Sequence, residues 1–251
     1  MSPLWKDELR IGLCPGRLVL ARYARGLTRR LAGREVIPVS DDPVRSLLER
    51  VGKADLTVVL SNHYVRYGVL PWTATLRSQE EWLAYARHHF SSTYGAVAAD
   101  WKVHVSTAGR RRARIACAID ATLLARLREV PGVRSVQPYF MSAFNTRRNA
   151  VSGEAWFVLH EPGRLTLGLA SRGEWRLVRN RQAPSSWRES LPDLLEREVA
   201  ARDGEGTDRV FLCTEDDTRD LPAQVGRYRI TDLSVAPGAS LDSRAALMAL
   251  N

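Results

Sequence analysis

The sequence predicts an α/β protein of two similar lobes, with a small module inserted in the first lobe. The order strand, strand, strand, helix, strand occurs once in each half of the chain. In both halves the first hairpin turns at a Pro-Gly pair, Pro15-Gly16 and Pro162-Gly163. We expect the first lobe to comprise residues 1–61 with 120–150, the inserted module residues 62–119, and the second lobe residues 151–251.

The first lobe is predicted from short apolar runs and from one helix with a clear start signal. Asp42 precedes Pro43, an order typical of an N-cap and the first helical position. Val44, Leu47 and Leu48 follow at helical spacing and give the helix one apolar face. The predicted strands cover residues 9–14, 17–23, 35–39, 56–60 and 133–137, and the other helices cover residues 121–130 and begin at residue 139.

The inserted module has the pattern strand, helix, strand, strand. Ser78 and Glu81 have the spacing of a capping box, which predicts the start of its helix. Trp82, Ala86 and Phe90 then form an apolar stripe along that helix. The predicted strands cover residues 63–70, 101–105 and 113–119, and the last two form a hairpin.

The second lobe repeats the order of elements without an insertion. Ser190 is predicted to cap its first helix, with Pro192 in the first turn. The predicted strands cover residues 155–159, 165–170, 174–178, 209–213 and 228–233, and a terminal helix covers residues 241–250.

The composition indicates a folded protein and the kinds of partner that it could bind. With 45% hydrophobic and 26% charged residues, the chain is not predicted to be disordered. A net charge of +9 suggests an acidic partner, which is a nucleic acid, an anionic membrane surface or an acidic protein. No stretch approaches the roughly 20 apolar residues of a membrane span, so we expect a cytoplasmic protein. Three cysteines without a C-x-x-C pair are interpreted as buried apolar side chains.

Two lobes of this kind resemble the actin-like (RNase H-like) ATPase fold, in which each lobe has the order βββαβαβα. The inserted module is similar to that of the cell-division protein FtsA and its relatives in pilus assembly and secretion. Residues 58–71 and residues 133–140 resemble segments of PilM-type proteins, with Gln137 where that family has an acid. The chain therefore resembles PilM, MshI and the cytoplasmic domain of GspL, from type IV pilus and type II secretion assembly platforms.

The resemblance implies an ATP site, but the residues at its motifs differ. Gly12 and Cys14 stand where the family has Asp and Gly, and Pro15 has no N–H to donate to a phosphate. Glu161 is expected in the second lobe's turn rather than on its strand. Residues 213–217 replace a Gly-Gly turn and bring three carboxylates that would repel a triphosphate. We therefore expect a pseudo-ATPase with no catalytic residue, no cofactor and no metal.

The resemblance also implies a groove between the first lobe and the inserted module. In PilM-like proteins that groove accepts the cytoplasmic N-terminal segment of a single-span inner-membrane protein. The alternative is that the residues flanking this junction only pack the hinge. The candidate partner-binding residues are Arg66, Tyr67, Tyr139, Phe140, Phe144 and Asn145.

A cluster of arginines lies at the predicted tip of the module's hairpin, namely Arg110, Arg111, Arg112 and Arg114. It is either a solvated face, a contact with an anionic membrane surface, or a nucleic-acid contact. Nucleic acid is the least favoured because no aromatic residues are interleaved to stack on bases. His63, at a strand end without a nucleophile beside it, is interpreted as a hydrogen-bonding residue rather than a catalytic base.

We predict from this reasoning a non-catalytic cytoplasmic scaffold of a pilus or secretion assembly platform, peripheral to the inner membrane. Two alternatives come from other classes. One is an ATP-binding actin-like switch of the same family, and the other is a basic nucleic-acid-binding protein.

Overall fold

The computed structural model describes residues 8–24, 30–39, 42–50, 54–109, 111–202 and 206–234. In chain order the strands are β1 (Glu8–Cys14), β2 (Arg17–Ala24), β3 (Arg30–Pro38), β4 (Asp55–Leu60), β5 (Val65–Leu70), β6 (Trp101–Val105), β7 (Arg114–Asp120), β8 (Val133–Pro138), β9 (Ala155–Glu161), β10 (Arg164–Ser171), β11 (Glu174–Gln182), β12 (Arg209–Thr214), β13 (Gln224–Val225) and β14 (Tyr228–Asp232). The helices are α1 (Pro43–Leu48), α2 (Gln79–Tyr94), α3 (Ala121–Glu129), α4 (Tyr139–Arg147) and α5 (Trp187–Ala200), and a 3-10 helix covers Gly95–Asp100.

The first lobe is built on a sheet in the order β3-β2-β1-β4-β8. Strand β1 pairs antiparallel with β2 and parallel with β4, and β4 pairs parallel with β8. The Asp42 carboxylate accepts hydrogen bonds from the N–H groups of Val44 and Arg45, each at 3.1 Å. The predicted N-cap of α1 is therefore confirmed.

The second lobe repeats this topology, with the sheet order β11-β10-β9-β12-β14-β13. Its first five strands occupy the same places as β3-β2-β1-β4-β8, so the internal duplication is confirmed. The repeat departs from the βββαβαβα order between β12 and β14, where the described residues form a loop and the short strand β13 instead of a helix. The predicted terminal helix, residues 241–250, lies outside the described residues.

The Pro-Gly turns of the two lobes adopt the same backbone conformation. Gly16 has a φ of 72° and Gly163 a φ of 77°, in the left-handed region that glycine enters without a steric cost. These equivalent turns place the ends of β1 and β9 in equivalent positions in the two lobes.

The start of α5 differs from the prediction. The N-cap is Ser186, not Ser190, and Pro192 lies inside the helix rather than in its first turn. The reason is tertiary, because the buried Trp187 ring stacks on His160 with centroids 4.3 Å apart. That contact fixes the first turn of the helix one turn before the position that local sequence favours.

The inserted module has its own three-stranded sheet, in the order β5-β7-β6. The predicted capping box of Ser78 and Glu81 is present at the start of α2. Helix α2 covers one face of this sheet with Trp82, Ala86 and Phe90. The opposite face joins the core that the two lobes share. Among the described helices, none combines the length and apolar character needed to span a bilayer.

Candidate functional site

An ion pair joins the two lobes across the cleft where an actin-like ATPase would hold a nucleotide. Arg17, the first residue of β2, donates from its guanidinium to the carboxylate of Glu215, which follows β12. The side chains of Arg17 and Glu215 are 24% and 5% exposed. Burial raises the pKa of Glu215 to about 7, although Arg17 opposes this shift.

A second polar contact joins the lobes at Glu161. This residue is the last of β9 and is buried, so the prediction that it lies in the turn is wrong. Its carboxylate oxygens accept hydrogen bonds from the Ser61 hydroxyl at 2.6 Å and from the Asn62 backbone N–H at 2.8 Å. Burial raises the pKa of Glu161, and these two hydrogen bonds oppose the shift. Both carboxylate oxygens are thus engaged by residues of the segment that follows β4.

Asn62 extends this network into the interior. Its side-chain oxygen accepts hydrogen bonds from the Tyr67 hydroxyl at 2.6 Å and from the Phe140 backbone N–H at 3.3 Å. The neighbouring His63 places its Nε2 atom 2.9 Å from the carbonyl oxygen of Pro162. The segment after β4 therefore connects the first lobe, the module and the second lobe. Across the described ranges, no group of three or more His, Cys, Asp or Glu side chains is placed to hold a metal ion.

Three of the candidate partner-binding residues are core residues. Tyr139 and Phe140 have no exposed surface, and Tyr67 is buried as well. The Phe140 ring lies 5.4 Å from that of Phe157 and 5.3 Å from that of Trp175, both in the second lobe. These three residues are therefore not available for direct contact with a partner. They pack between the lobes and the module, which is the hinge-packing alternative given above.

The other three candidates are more accessible. Arg66 is half-buried, and its guanidinium donates to the carbonyl oxygens of His63 at 3.1 Å and Val65 at 3.2 Å. Phe144 is half-buried, and its ring lies 4.5 Å from that of Trp175. Asn145 is exposed and lines an open groove. Of the six candidates, Asn145 is the one that borders this groove.

The groove, of about 960 Å³, runs between the module, the first lobe and the β10–β11 turn. Its apolar part includes Ile115 and Cys117 from β7, Leu124 from α3 and Met141 from α4. Every residue of β8 lines it. The charged residues that line it are Lys102, Arg112, Arg128, Arg134 and Glu174.

The arginines of the module's hairpin do not form one patch. Arg110 lies outside the described residues. Arg111 lies over the Trp72 ring at 5.9 Å, and Arg114 lies over the Trp82 ring at 4.6 Å. Arg112 pairs with Glu174 at 3.8 Å. The three described arginines of this tip therefore contact different parts of the molecule, namely a loop of the module, the second lobe and helix α2.

The sequence analysis did not identify a group of contacts around one buried histidine, His160, in the second lobe. His160 lies on β9 and its Nδ1 atom is 3.0 Å from the Thr214 hydroxyl. Trp187 stacks on the imidazole and donates from its indole N–H to Asp216 at 2.9 Å. Burial lowers the pKa of His160 to about 4, although Asp216 opposes the shift. The sequence around His160 is that of an apolar strand and does not indicate these contacts, because the partners of His160 come from distant segments of the chain.

No family model matches the chain, and no curated protein matches its sequence. Solved structures do match. A Bacteroides thetaiotaomicron protein of unknown function with an actin-like ATPase fold has a TM-score of 0.66 at 12% identity, over 96% of this chain and 95% of that one. The cytoplasmic domain of EpsL, an inner-membrane component of the Vibrio cholerae type II secretion system, has a TM-score of 0.62 at 9% identity, over 97% and 94%.

A third match is a type IV pilus biogenesis complex of PilM and PilN, with a TM-score of 0.58 at 12% identity over 82% of this chain and 80% of that one. At such identities the likeness concerns the fold and not the activity. The expected two-lobed architecture is confirmed: the chain has the actin-like fold, and its structure is similar to those of the EpsL cytoplasmic domain and PilM.

Proposed function

We propose that this chain is a non-catalytic cytoplasmic scaffold of a type IV pilus or type II secretion assembly platform. It stands beneath the inner membrane and binds the cytoplasmic N-terminal segment of a single-span membrane protein. One observation carries the proposal: side-chain contacts join the lobes where the actin-like resemblance would place a nucleotide, whereas the groove beside the module is open. The likeness to the EpsL cytoplasmic domain and to PilM in its complex with PilN supports the choice of machine.

The contacts across the cleft favour a fixed scaffold over a nucleotide-driven one. Arg17–Glu215 and Ser61–Glu161 join the lobes without any ligand. A nucleotide would have to separate both pairs and leave buried charged groups without partners. In the proposed scaffold, the lobes of residues 1–61 with 120–150 and of residues 151–251 hold the module of residues 62–119 in a constant orientation. The groove then keeps its shape.

Millimolar ATP with Mg²⁺ is expected to leave the melting temperature of the purified chain unchanged. A ligand that binds the native state at concentrations well above its Kd would raise it by mass action. Differential scanning fluorimetry with and without nucleotide measures this directly. A rise of several degrees with ATP and Mg²⁺ would contradict the proposal.

The ATP-binding switch is the second candidate, and the position of Glu161 favours it. Glu161 ends the first strand of its lobe, so it is the residue that would serve as a displaced acid of the actin-like pattern. Isothermal titration calorimetry with ATP and Mg²⁺ on the wild type and on Glu161→Ala separates the candidates. Binding heat in the wild type that disappears in the variant would favour the switch, and no heat in either protein supports the scaffold.

A photo-crosslinking residue at position 145 is expected to form an adduct with a short membrane protein. Asn145 is exposed and borders the groove, so the probe would contact a bound segment without disturbing the core. The adduct is identified by mass spectrometry after irradiation in membranes of the source organism. The matched control carries the same probe at Arg87, which is exposed on α2, on the side of the module sheet away from the groove. Equal adducts from both positions, or none from position 145, would contradict the proposal.

A further inference from the structure

We infer that the groove takes an extended acidic peptide segment, which adds as a strand to the free edge of β8. This inference rests on the proposed function, because it names the chemistry of the segment that the scaffold binds. It follows from three features of the groove, namely an open sheet edge, an apolar floor and an excess of cations.

The open edge is that of β8. This strand is last in the order β3-β2-β1-β4-β8 and pairs with β4 alone among the described strands. All six of its residues line the groove. An unpaired strand edge offers a row of N–H and C=O groups to which an extended chain can bond. Six residues at about 3.3 Å each make an edge of roughly 20 Å, and Pro138 at its end has no N–H to donate.

The floor of the groove is apolar. Ile115 and Cys117 are alternate residues of β7 and therefore lie on the same face of the module sheet. Leu124 and Met141 extend this floor from α3 and α4. A strand alongside β8 directs every second side chain to one face. The segment therefore needs apolar residues at alternate positions to cover this floor.

The rim carries an excess of positive charge. Among the described lining residues, Lys102, Arg112, Arg128 and Arg134 face one acid, Glu174. Two of these cations have acidic neighbours, since Arg112 pairs with Glu174 at 3.8 Å and Arg134 with Asp55 at 3.1 Å.

Lys102 and Arg128 are both exposed, and within the described ranges neither has an acidic partner. Carboxylates on the segment, between its apolar positions, would complement these two charges. A nucleic acid fits less well, because Trp175 is the one aromatic ring of Phe, Tyr or Trp type among the described lining residues.

Selection from a displayed library of random twelve-residue peptides tests the inference without assuming a sequence. The probe is the library itself, selected on the immobilised wild-type chain. We expect enriched peptides to carry net negative charge with apolar residues at alternate positions. We expect the double variant Lys102→Glu/Arg128→Glu to bind them about tenfold more weakly and to enrich basic peptides instead, because it reverses two rim charges.

Two further variants define the site. Asn145→Trp fills the groove from an exposed position and is expected to abolish the enrichment, whereas Arg87→Glu, on the far side of α2, is expected to leave it unchanged. Thermal melts of every variant verify folding. Hydrogen exchange with an enriched peptide bound is expected to protect the β8 amides, and unprotected β8 amides would overturn strand addition.

The outcomes separate this inference from the proposed function. Neutral or basic peptides enriched on the wild type, or no enriched peptide at all, would overturn the acidic preference, while the crosslink from position 145 would still support the scaffold. Enrichment that persists in Asn145→Trp would overturn the groove as the binding site. If the crosslink from position 145 fails but acidic peptides are enriched, the proposed membrane partner is overturned, whereas the preference of the groove for acidic peptides stands.

Discussion

Replacing Arg17 with alanine is expected to lower the free energy of unfolding by about 3 kcal/mol at pH 8, the loss typical of removing one partner of a buried ion pair. Glu215 has a side chain that is 5% exposed, and Arg17 is the cation that faces it across the lobes. Without that guanidinium, Glu215 must either stay ionised in the interior with no compensating charge or take up a proton, and both cost free energy. Urea denaturation of the wild type and the variant at pH 8 measures the difference.

The loss at pH 5 should be smaller by up to about 1.4 kcal/mol, because pH 8 lies only about one unit above the wild-type pKa of Glu215. Burial already raises the pKa of Glu215 to about 7 with Arg17 present, and removing the cation raises it further. At pH 5 Glu215 is therefore protonated in the folded variant and no buried charge is left unpaired. The same urea titration at pH 5 checks this, and equal losses at both pH values would contradict the assignment of the pair.

Two controls complete this prediction. The double variant Arg17→Met/Glu215→Leu is expected to recover most of the lost stability, because apolar residues of similar volume can replace a buried pair. Arg45→Ala removes an exposed pair with Glu49, whose atoms lie 3.5 Å apart, and is expected to cost less than about 0.5 kcal/mol. A large loss of stability in Arg45→Ala would mean that the loss in Arg17→Ala does not arise from the burial of its ion pair.

His160 and Glu215 are expected to make the free energy of unfolding depend on pH in opposite directions. Burial lowers the pKa of His160 from 6.5 to about 4, with Asp216 opposing and Arg188 adding to the shift. The folded state then binds a proton less readily than the unfolded state. His160 therefore contributes stability above pH 6.5 that is lost as the pH falls towards 4, by up to about 3 kcal/mol.

Glu215 acts in the other direction. Its pKa is raised from 4.5 to about 7, so the folded state binds a proton more readily than the unfolded state. Its contribution is complete below pH 4.5 and is lost as the pH rises to 7, by up to about 3 kcal/mol. Arg17, Glu161 and Asp216 face this carboxylate, and Glu161 has a raised pKa of its own that adds to the same slope.

Single substitutions should separate the two slopes. Relative to the wild type, His160→Gln is expected to lose stability as the pH rises from 4 to 6.5. Glu215→Gln is expected to gain stability, relative to the wild type, as the pH rises from 4.5 to 7. Urea denaturation at half-unit pH intervals measures both curves. Parallel curves for the three proteins would show that neither residue titrates with the shifted pKa.

Local sequence patterns determined most of the elements of this protein. The Asp42 cap, the Ser78–Glu81 capping box and the two Pro-Gly turns all act within a few residues, and each is present in the structure. The three cysteines, expected as small apolar side chains, are free and buried. Apolar runs of strand length likewise predicted the order of strands in both lobes, because a run buried on both faces is recognisable without knowing its partners.

Only the tertiary structure decided what the cleft and the groove contain. Arg17 and Glu215 are 198 positions apart, and Ser61 and Glu161 are 100 apart. Tyr139 and Phe140 were equally compatible with a partner surface and with the hinge, and packing against the second lobe buried them. A side chain's partner across a lobe boundary depends on how whole sheets pack, whereas caps and turns depend on neighbours along the chain. For that reason the sequence by itself determined the elements and their repetition, and the packing of the lobes decided which polar groups are joined and which edge remains free.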